Sequence, residues 1–221
     1  MCAYDCLFAF DFLNICTYTT IIPPPHTHAR ARTHTPPSPV GRNIAEGLSR
    51  LGASPAFVSA VGDDQFGRSL TQHLDACGCC TRGVKAVTSN RTAVYTAVMD
   101  GKGDLVASVA DMEVMGCVDG ETVSPYCATL PPIVVADANI PLCALEALCD
   151  ACRDGRSRLW FEPTSLAKTS KIADGRLLTG VTFMSPNRQE VRHLRDQFGD
   201  SGRMSTEDCA ASVLERMLGE R

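Results

Sequence analysis

The chain has no excess of basic residues: Lys and Arg number 21 against 25 Asp and Glu, a net charge of -4. That balance recommends neither a nucleic-acid backbone nor an anionic membrane as partner. A secretory leader is not expected either. The apolar opening MCAYDCLFAFDFLNICTYTTII has no basic start, and Asp5 and Asp11 interrupt it, so it reads as neither signal peptide nor membrane span. The 12 cysteines do not form a framework. Cys77-Gly78-Cys79-Cys80 is a cluster, and Cys149-x-x-Cys152 has no second ligand pair at zinc spacing. Cys143, Cys149 and Cys152 fall within one helical pattern as small apolar residues. Reduced, mostly buried thiols in a cytoplasmic protein are the reading. No Gly-x-Gly-x-x-Gly turn follows the first strand pattern, which ranks a dinucleotide-binding oxidoreductase low.

What is present is an ordinary globular balance, 44% hydrophobic and 21% charged over 221 residues, enough for one domain with a real core. The most informative stretch is residues 40–67, VGRNIAEGLSRLGASPAFVSAVGDDQFG. Gly41, Arg42 and Asn43 read as a turn before a helix with Ile44, Leu48 and Leu51 on its apolar face. Gly52 stands where a left-handed helix end belongs. Phe57, Val58, Ala60 and Val61 read as a strand buried on both faces, broken by Gly62-Asp63-Asp64-Gln65-Phe66-Gly67. A strand whose carboxyl end opens into a polar loop predicts an α/β fold with a polar-ligand crevice.

Further along, residues 69–76 predict a helix and Val84 to Val87 a strand. Residues 92–99 and 105–110 flank Asp100-Gly101-Lys102-Gly103-Asp104 as a β-hairpin. Asp111 follows it, either facing a ligand hydroxyl or as an exposed turn carboxylate. Ile133 to Ala136 is a buried strand ending in Asp137-Ala138-Asn139-Ile140-Pro141, with a helix over residues 142–152. Strands are also read over residues 158–161 and 180–184, and a last helix over 204–218 with Cys209, Val213 and Met217 inward.

Four motifs carry a resemblance. Asn43-x-Ala45 with Leu51-Gly52 and Gly62-x-Asp64-x-x-Gly67 is similar to the amino-terminal signature of the PfkB, or ribokinase-like, sugar and nucleoside kinases. Asp137-Ala138-Asn139-Ile140-Pro141 resembles that family's segment binding a substrate hydroxyl. Asn187-x-x-Glu190 matches its Asn-x-x-Glu near magnesium and phosphate. Glu162-Pro163-Thr164 resembles the pseudouridine-kinase branch more than ribokinase itself. The resemblance implies an incomplete three-layer α/β/α sheet with a small β lid. It also implies ATP and Mg²⁺ as cofactors, and phosphorylation of a sugar or nucleoside hydroxyl. Gly41, Asn43, Asn139 and Asp111 would meet substrate, with Gly62, Asp64 and Gly67 shaping the crevice. Asn187 and Glu190 would lie at the metal. Capping offers a second explanation for Asn139, and a capping box for Asn187 with Glu190. Pairing as a homodimer through the lid is the further implication.

The chain departs from the pattern in three places. Ser38 and Pro39 replace two adjacent glycines of the substrate loop. Residues 1–39 include PPPHTHARARTHTPPSP, read as a solvated segment in which His26, His28 and His34 are not ligands. The whole segment reads as irregular and foreign to the family pattern, without its opening strand, Asp and lid strands. Finally, residues 40–221 contain no Gly-Ala-Gly-Asp run to supply a catalytic base and an anion-binding turn. No catalytic residue is therefore named. The expected protein is a partial kinase domain without the carboxyl-terminal ATP and anion-hole part, weakly active or inactive. The alternative is a non-catalytic nucleoside-binding or dimer-modulating protein on the same scaffold.

Overall fold

The computed structural model describes residues 6–10, 14–20, 32–34, 40–100, 105–199 and 204–219. Strand β4 (Pro55–Gly62) is the axis of the molecule, and every one of its residues is buried. Ala56, Val58 and Ala60 point into one core cluster, and Phe57 and Val61 into another. A strand with apolar residues on both faces must be covered on both faces. Helices α1 (Val40–Arg50) and α2 (Gln65–Ala76) cover the first side through Ala45, Leu70 and Leu74. Helices α3 (Gly120–Cys127) and α4 (Leu142–Cys152) cover the second through Val123, Leu145 and Leu148.

Six strands form the central sheet: β1 (Cys6–Phe10), β4, β5 (Cys80–Val87), β8 (Ile133–Asp137), β9 (Arg158–Glu162) and β10 (Phe183–Met184). Their order is β10-β9-β8-β1-β4-β5 and every pairing is parallel. All six carboxyl ends therefore share one edge of the sheet, where ligands of open α/β sheets bind. A second sheet, β3-β2-β6-β7, pairs β2 (Asn14–Thr20) with β3 (Arg32–His34) and with β6 (Ala93–Met99). Strand β7 (Leu105–Asp111) closes the expected hairpin with β6; its turn, residues 101–104, lies outside the described residues. The chain continues through α5 (Leu166–Thr169), α6 (Gly175–Leu178), α7 (Arg188–Gln197) and α8 (Thr206–Leu218). Cys209 and Val213 of α8 are buried as the sequence pattern requires. The result is the three-layer α/β/α arrangement with a small β lid.

Three expectations are corrected. The opening 39 residues are not wholly irregular: β1 occupies the middle of the parallel sheet between β4 and β8, and β2 lies within the lid. A strand is therefore present in this segment, and Asp11 follows it directly in sequence. Much of that segment, most of the Pro-rich run included, lies outside the described residues. Second, α1 begins at Val40 rather than after Asn43, burying Gly41 and Arg42 in its first turn. Leu51 falls past the end of α1 and is 86% exposed, while Gly52 takes φ +90° as its position demands. Third, Cys143 is exposed, although Cys149 and Cys152 are buried in α4. Burial pushes the Cys149 thiol up to about 12 and Cys152 up to about 11, which suits inert core thiols rather than a redox pair.

Candidate functional site

The polar residues gather at the carboxyl ends of β8, β9 and β10. Asp137 ends β8 and is fully buried. Its carboxylate accepts from the Asn139 backbone N–H at 2.8 Å and from the Asn139 amide nitrogen at 2.6 Å. That pair fixes the amide so that its oxygen accepts from the Lys168 ammonium, on α5. The same ammonium lies 3.9 Å from Met112 Sδ, one residue past Asp111 at the end of the lid hairpin. Lys171 donates to the carbonyls of Ala138 and Ile140 at 2.9 and 2.8 Å. Burial, followed by the nearby Lys168 charge, holds its ammonium below the usual lysine range.

Glu162 ends β9, next to Asp137 in register. Burial raises its carboxyl first, and the charges of Glu190 and Asp137 add to that against a hydrogen bond from Ser185. Glu162 thus feels the carboxylates of Asp137 on β8 and Glu190 on α7, an environment that a cation would relieve. Two residues beyond Glu162, Thr164 is the one non-glycine at positive φ among the described residues (φ 60°). Its hydroxyl is buried without a hydrogen-bond partner. Strain and an unmet polar group together are uncommon in structural loops and concentrate at ligand sites.

The expected site residues sort as follows. Asn139 lies at the centre of this cluster. Asn187 caps α7, accepting from Gln189 and Glu190 N–H groups, while Glu190 accepts from the Asn187 N–H at 2.8 Å; the capping box is complete. Glu190 is nonetheless buried and faces Glu162 electrostatically. Asp111 is exposed at the foot of β7. Gly41 is buried and Asn43 exposed on α1, where the Asn43 oxygen accepts from Arg42 at 2.9 Å.

At the tip of β4, two strands from β8, Asp64 caps α2 by accepting from Gly67 N–H at 2.8 Å. It also holds the lid, accepting from Thr92 N–H and hydroxyl at 2.8 and 2.6 Å. A side chain on Gly62 would place its Cβ 2.4 Å from Thr92 N, and one on Gly67 2.3 Å from the Gly62 carbonyl. This knot joins sheet to lid. Sequence reasoning missed Glu162, Thr164, Lys168 and Lys171 as site residues. Glu162 and Thr164 gave a signal within the Glu162-Pro163-Thr164 motif but were not assigned a site role; the lysines sit in irregular or short segments without periodicity.

Comparison with known proteins agrees with this architecture. The chain is 29% identical over 160 residues to the pseudouridine kinase of Escherichia coli, covering 72% of this chain and 50% of that one. It is 28% identical over 195 residues to the pseudouridine kinase of Arabidopsis thaliana, covering 82% and 50%. A guanosine-inosine kinase of Exiguobacterium acetylicum matches at 27% over 158 residues, covering 71% and 52%. The chain spans about half the length of these curated relatives. Among solved structures, a carbohydrate kinase from Agrobacterium tumefaciens superposes with a TM-score of 0.76 at 21% identity, covering 94% of this chain and 66% of that one. The Arabidopsis ribokinase complexed with ribose and ATP gives 0.73 at 19%, covering 95% and 68%. These structures share the ribokinase-like fold. Residues 16–217 match the model of the pfkB family carbohydrate kinases, and the chain belongs to that family.

Proposed function

We propose that this chain is the acceptor- and cation-binding part of an ATP-dependent kinase acting on a ribosyl hydroxyl, with a pseudouridine-like nucleoside as the substrate class. The observation that supports this most is the cluster at the tips of β8 and β9, where Asp137 orients Asn139 against Lys168. An amide with fixed direction beside an ammonium suits a vicinal diol, offering both a donor and an acceptor. Thr164, with its unmet hydroxyl, supplies a further contact on the same edge. Asn43, Gly41 and Asp111 are assigned to the rim of this crevice.

Glu162 and Glu190 fit a divalent cation, because Glu190 is buried, Glu162 is partly buried, and the charge of Glu190 acts on Glu162. Asn187 fits only at a remove, since its side-chain oxygen serves the cap. Mg²⁺ held there would offset the charge of transferring phosphate. The chain's own residues bind and orient the acceptor. Residues 40–221 contain no Gly-Ala-Gly-Asp run for a general base and anion turn, so the part assigned to these residues is acceptor binding, with phosphate transfer by them alone weak or absent. Thermal-shift measurement across a ribonucleoside panel tests this. A shift with pseudouridine or another ribonucleoside, lost in Lys168→Met and not in Lys85→Met, supports the assignment. A panel without any shift, or one equally large in Lys168→Met, refutes it.

A further inference from the structure

A second group of ligand atoms lies on the outer helices, away from the β8–β9 tips. Glu46 projects from α1, His73 from the last turn of α2, and Cys77 caps that helix. One ring nitrogen faces both neighbours: His73 Nε2 is 3.0 Å from Glu46 Oε2 and 3.6 Å from Cys77 Sγ. The three candidate ligand atoms all lie within 4.8 Å of one another.

That shared nitrogen decides between two chemistries. A nucleophilic relay sets the acid on one ring nitrogen and the thiol on the other, so that the imidazole passes a proton between them. Here acid and thiol converge on the same nitrogen, so no relay exists. A coordinated ion instead requires three donor atoms to surround one point, which three atoms mutually within 4.8 Å can do. With Zn–N about 2.0 Å, Zn–O about 2.1 Å and Zn–S about 2.3 Å, tetrahedral neighbours stand about 3.3–3.6 Å apart. The two separations from His73 Nε2, 3.0 and 3.6 Å, need adjustments of a few tenths of an ångström, and the acid and thiol, within 4.8 Å of each other, would close onto the ion by side-chain rotation.

The surroundings are arranged to hold the set. Ser49 of α1 donates to the Cys77 carbonyl at 2.5 Å, fixing the thiol's backbone to the helix that carries Glu46. Arg50 donates to Glu46 Oε1 at 2.9 and 2.6 Å, and Arg42 lies 3.1 Å from Oε2. Hydrogen-bonded carboxylates are the usual form of a metal-ligating acid, and such outer partners orient the ligand.

We propose that Glu46, His73 and Cys77 form a binding site for a borderline-soft divalent cation of the zinc class, with one open coordination position. A Cys, His and carboxylate set selects Zn²⁺ over Mg²⁺ or Ca²⁺. The ion would pin α1 to α2, the two helices whose first turns flank the β4 tip.

The test uses the full chain kept reduced, with Zn²⁺ in equilibrium dialysis and Co²⁺ as the spectroscopic probe. The expected result is one tight Zn²⁺ equivalent and, with Co²⁺, a thiolate charge-transfer band with tetrahedral d–d absorption. Arg50→Ala should weaken affinity about tenfold, and Cys77→Ser or His73→Gln by more than about a hundredfold, given what outer partners alone contribute. Cys143→Ser, an exposed thiol on α4, should leave binding unchanged. His73 is an exposed helical position, so His73→Gln keeps the fold, which far-UV circular dichroism verifies. Unchanged Zn²⁺ stoichiometry and affinity in the His73→Gln, Cys77→Ser double variant would overturn the site. A charge-transfer band that persists in that variant would do the same.

Discussion

Replacing Asp64 with Ala removes the joint between the parallel sheet and the lid. The carboxylate accepts from Gly67 N–H, Thr92 N–H and Thr92 Oγ1 at 2.8, 2.8 and 2.6 Å. Thr92 is 1% exposed, so its N–H has no water to turn to. Its hydroxyl does have an alternative, because it lies 3.0 Å from Gly62 N and 3.4 Å from Gly62 O. The helix cap is worth about 1 kcal/mol, and stranding a buried N–H that met a charged acceptor costs about 1.5–2 kcal/mol more. Asp64→Ala should therefore lose about 2.5–3 kcal/mol at neutral pH in guanidinium denaturation followed by circular dichroism.

The pH dependence has a definite sign. Partial burial raises the Asp64 carboxyl, but the hydrogen bonds from Thr92 and Gly67 outweigh it, so the net shift is downward. A carboxylate depressed on folding adds stability above its unfolded pKa, about 3.9, and loses it as pH falls through the folded value. The gap between wild type and Asp64→Ala should be full at pH 6 and narrow below about pH 4. Asp63→Ala is the control: that side chain is half-exposed and, among the described residues, pairs with exposed Arg68 at 2.8 Å, worth about 0–1 kcal/mol. A loss below about 1 kcal/mol for Asp64→Ala, or a gap that persists at pH 3, would refute the joint.

Other outcomes follow from the same contacts. Gly67→Ala, whose Cβ would sit 2.3 Å from the Gly62 carbonyl, should destabilise by about 3 kcal/mol or more, read as a fall in the denaturation midpoint. Asn187→Ala should cost about 1 kcal/mol through the lost cap of α7, whereas Glu190→Gln should also abolish Mg²⁺ binding in titration calorimetry if Glu190 serves the cation. In thiol labelling, Cys143 should react in the native protein, while Cys149 and Cys152, raised to about 12 and about 11, should react only on unfolding.

The sequence disclosed the elements whose pattern is local. Strand β4, the β6–β7 hairpin, α4 and α8 follow from unbroken apolar runs or helical spacing, and the structure places all four there. Strands β1 and β2 were less legible: β1 is a short apolar run between Asp5 and Asp11, β2 mixes polar and apolar residues without a clean alternation, and both are defined by pairing with β4, β8 and β6. Helix α1 was misjudged at both ends. Packing draws Gly41 and Arg42 into the first turn despite their turn propensity, and Leu51 has no core within reach. The motif around Asn139 was visible as a polar cluster after a buried strand. Its orientation by Asp137 and its contact with Lys168 depend on a three-dimensional meeting of β8 with α5. Thr164 shows its character only through its backbone angle. The capping geometry of Asn187 with Glu190 followed directly from spacing, and the charge contact of Glu190 with Glu162 did not.

Backbone amide chemical-shift mapping with a ribonucleoside addresses the central assignment most directly. Titrating pseudouridine into isotopically labelled chain should move the resonances of Asn139, Glu162, Thr164 and Lys168 together, with smaller changes at Asn43 and Asp111. Shifts confined to the apolar groove of Trp160, Phe183, Val213 and Leu214, or no saturable shifts at the β8–β9 tips, would contradict it.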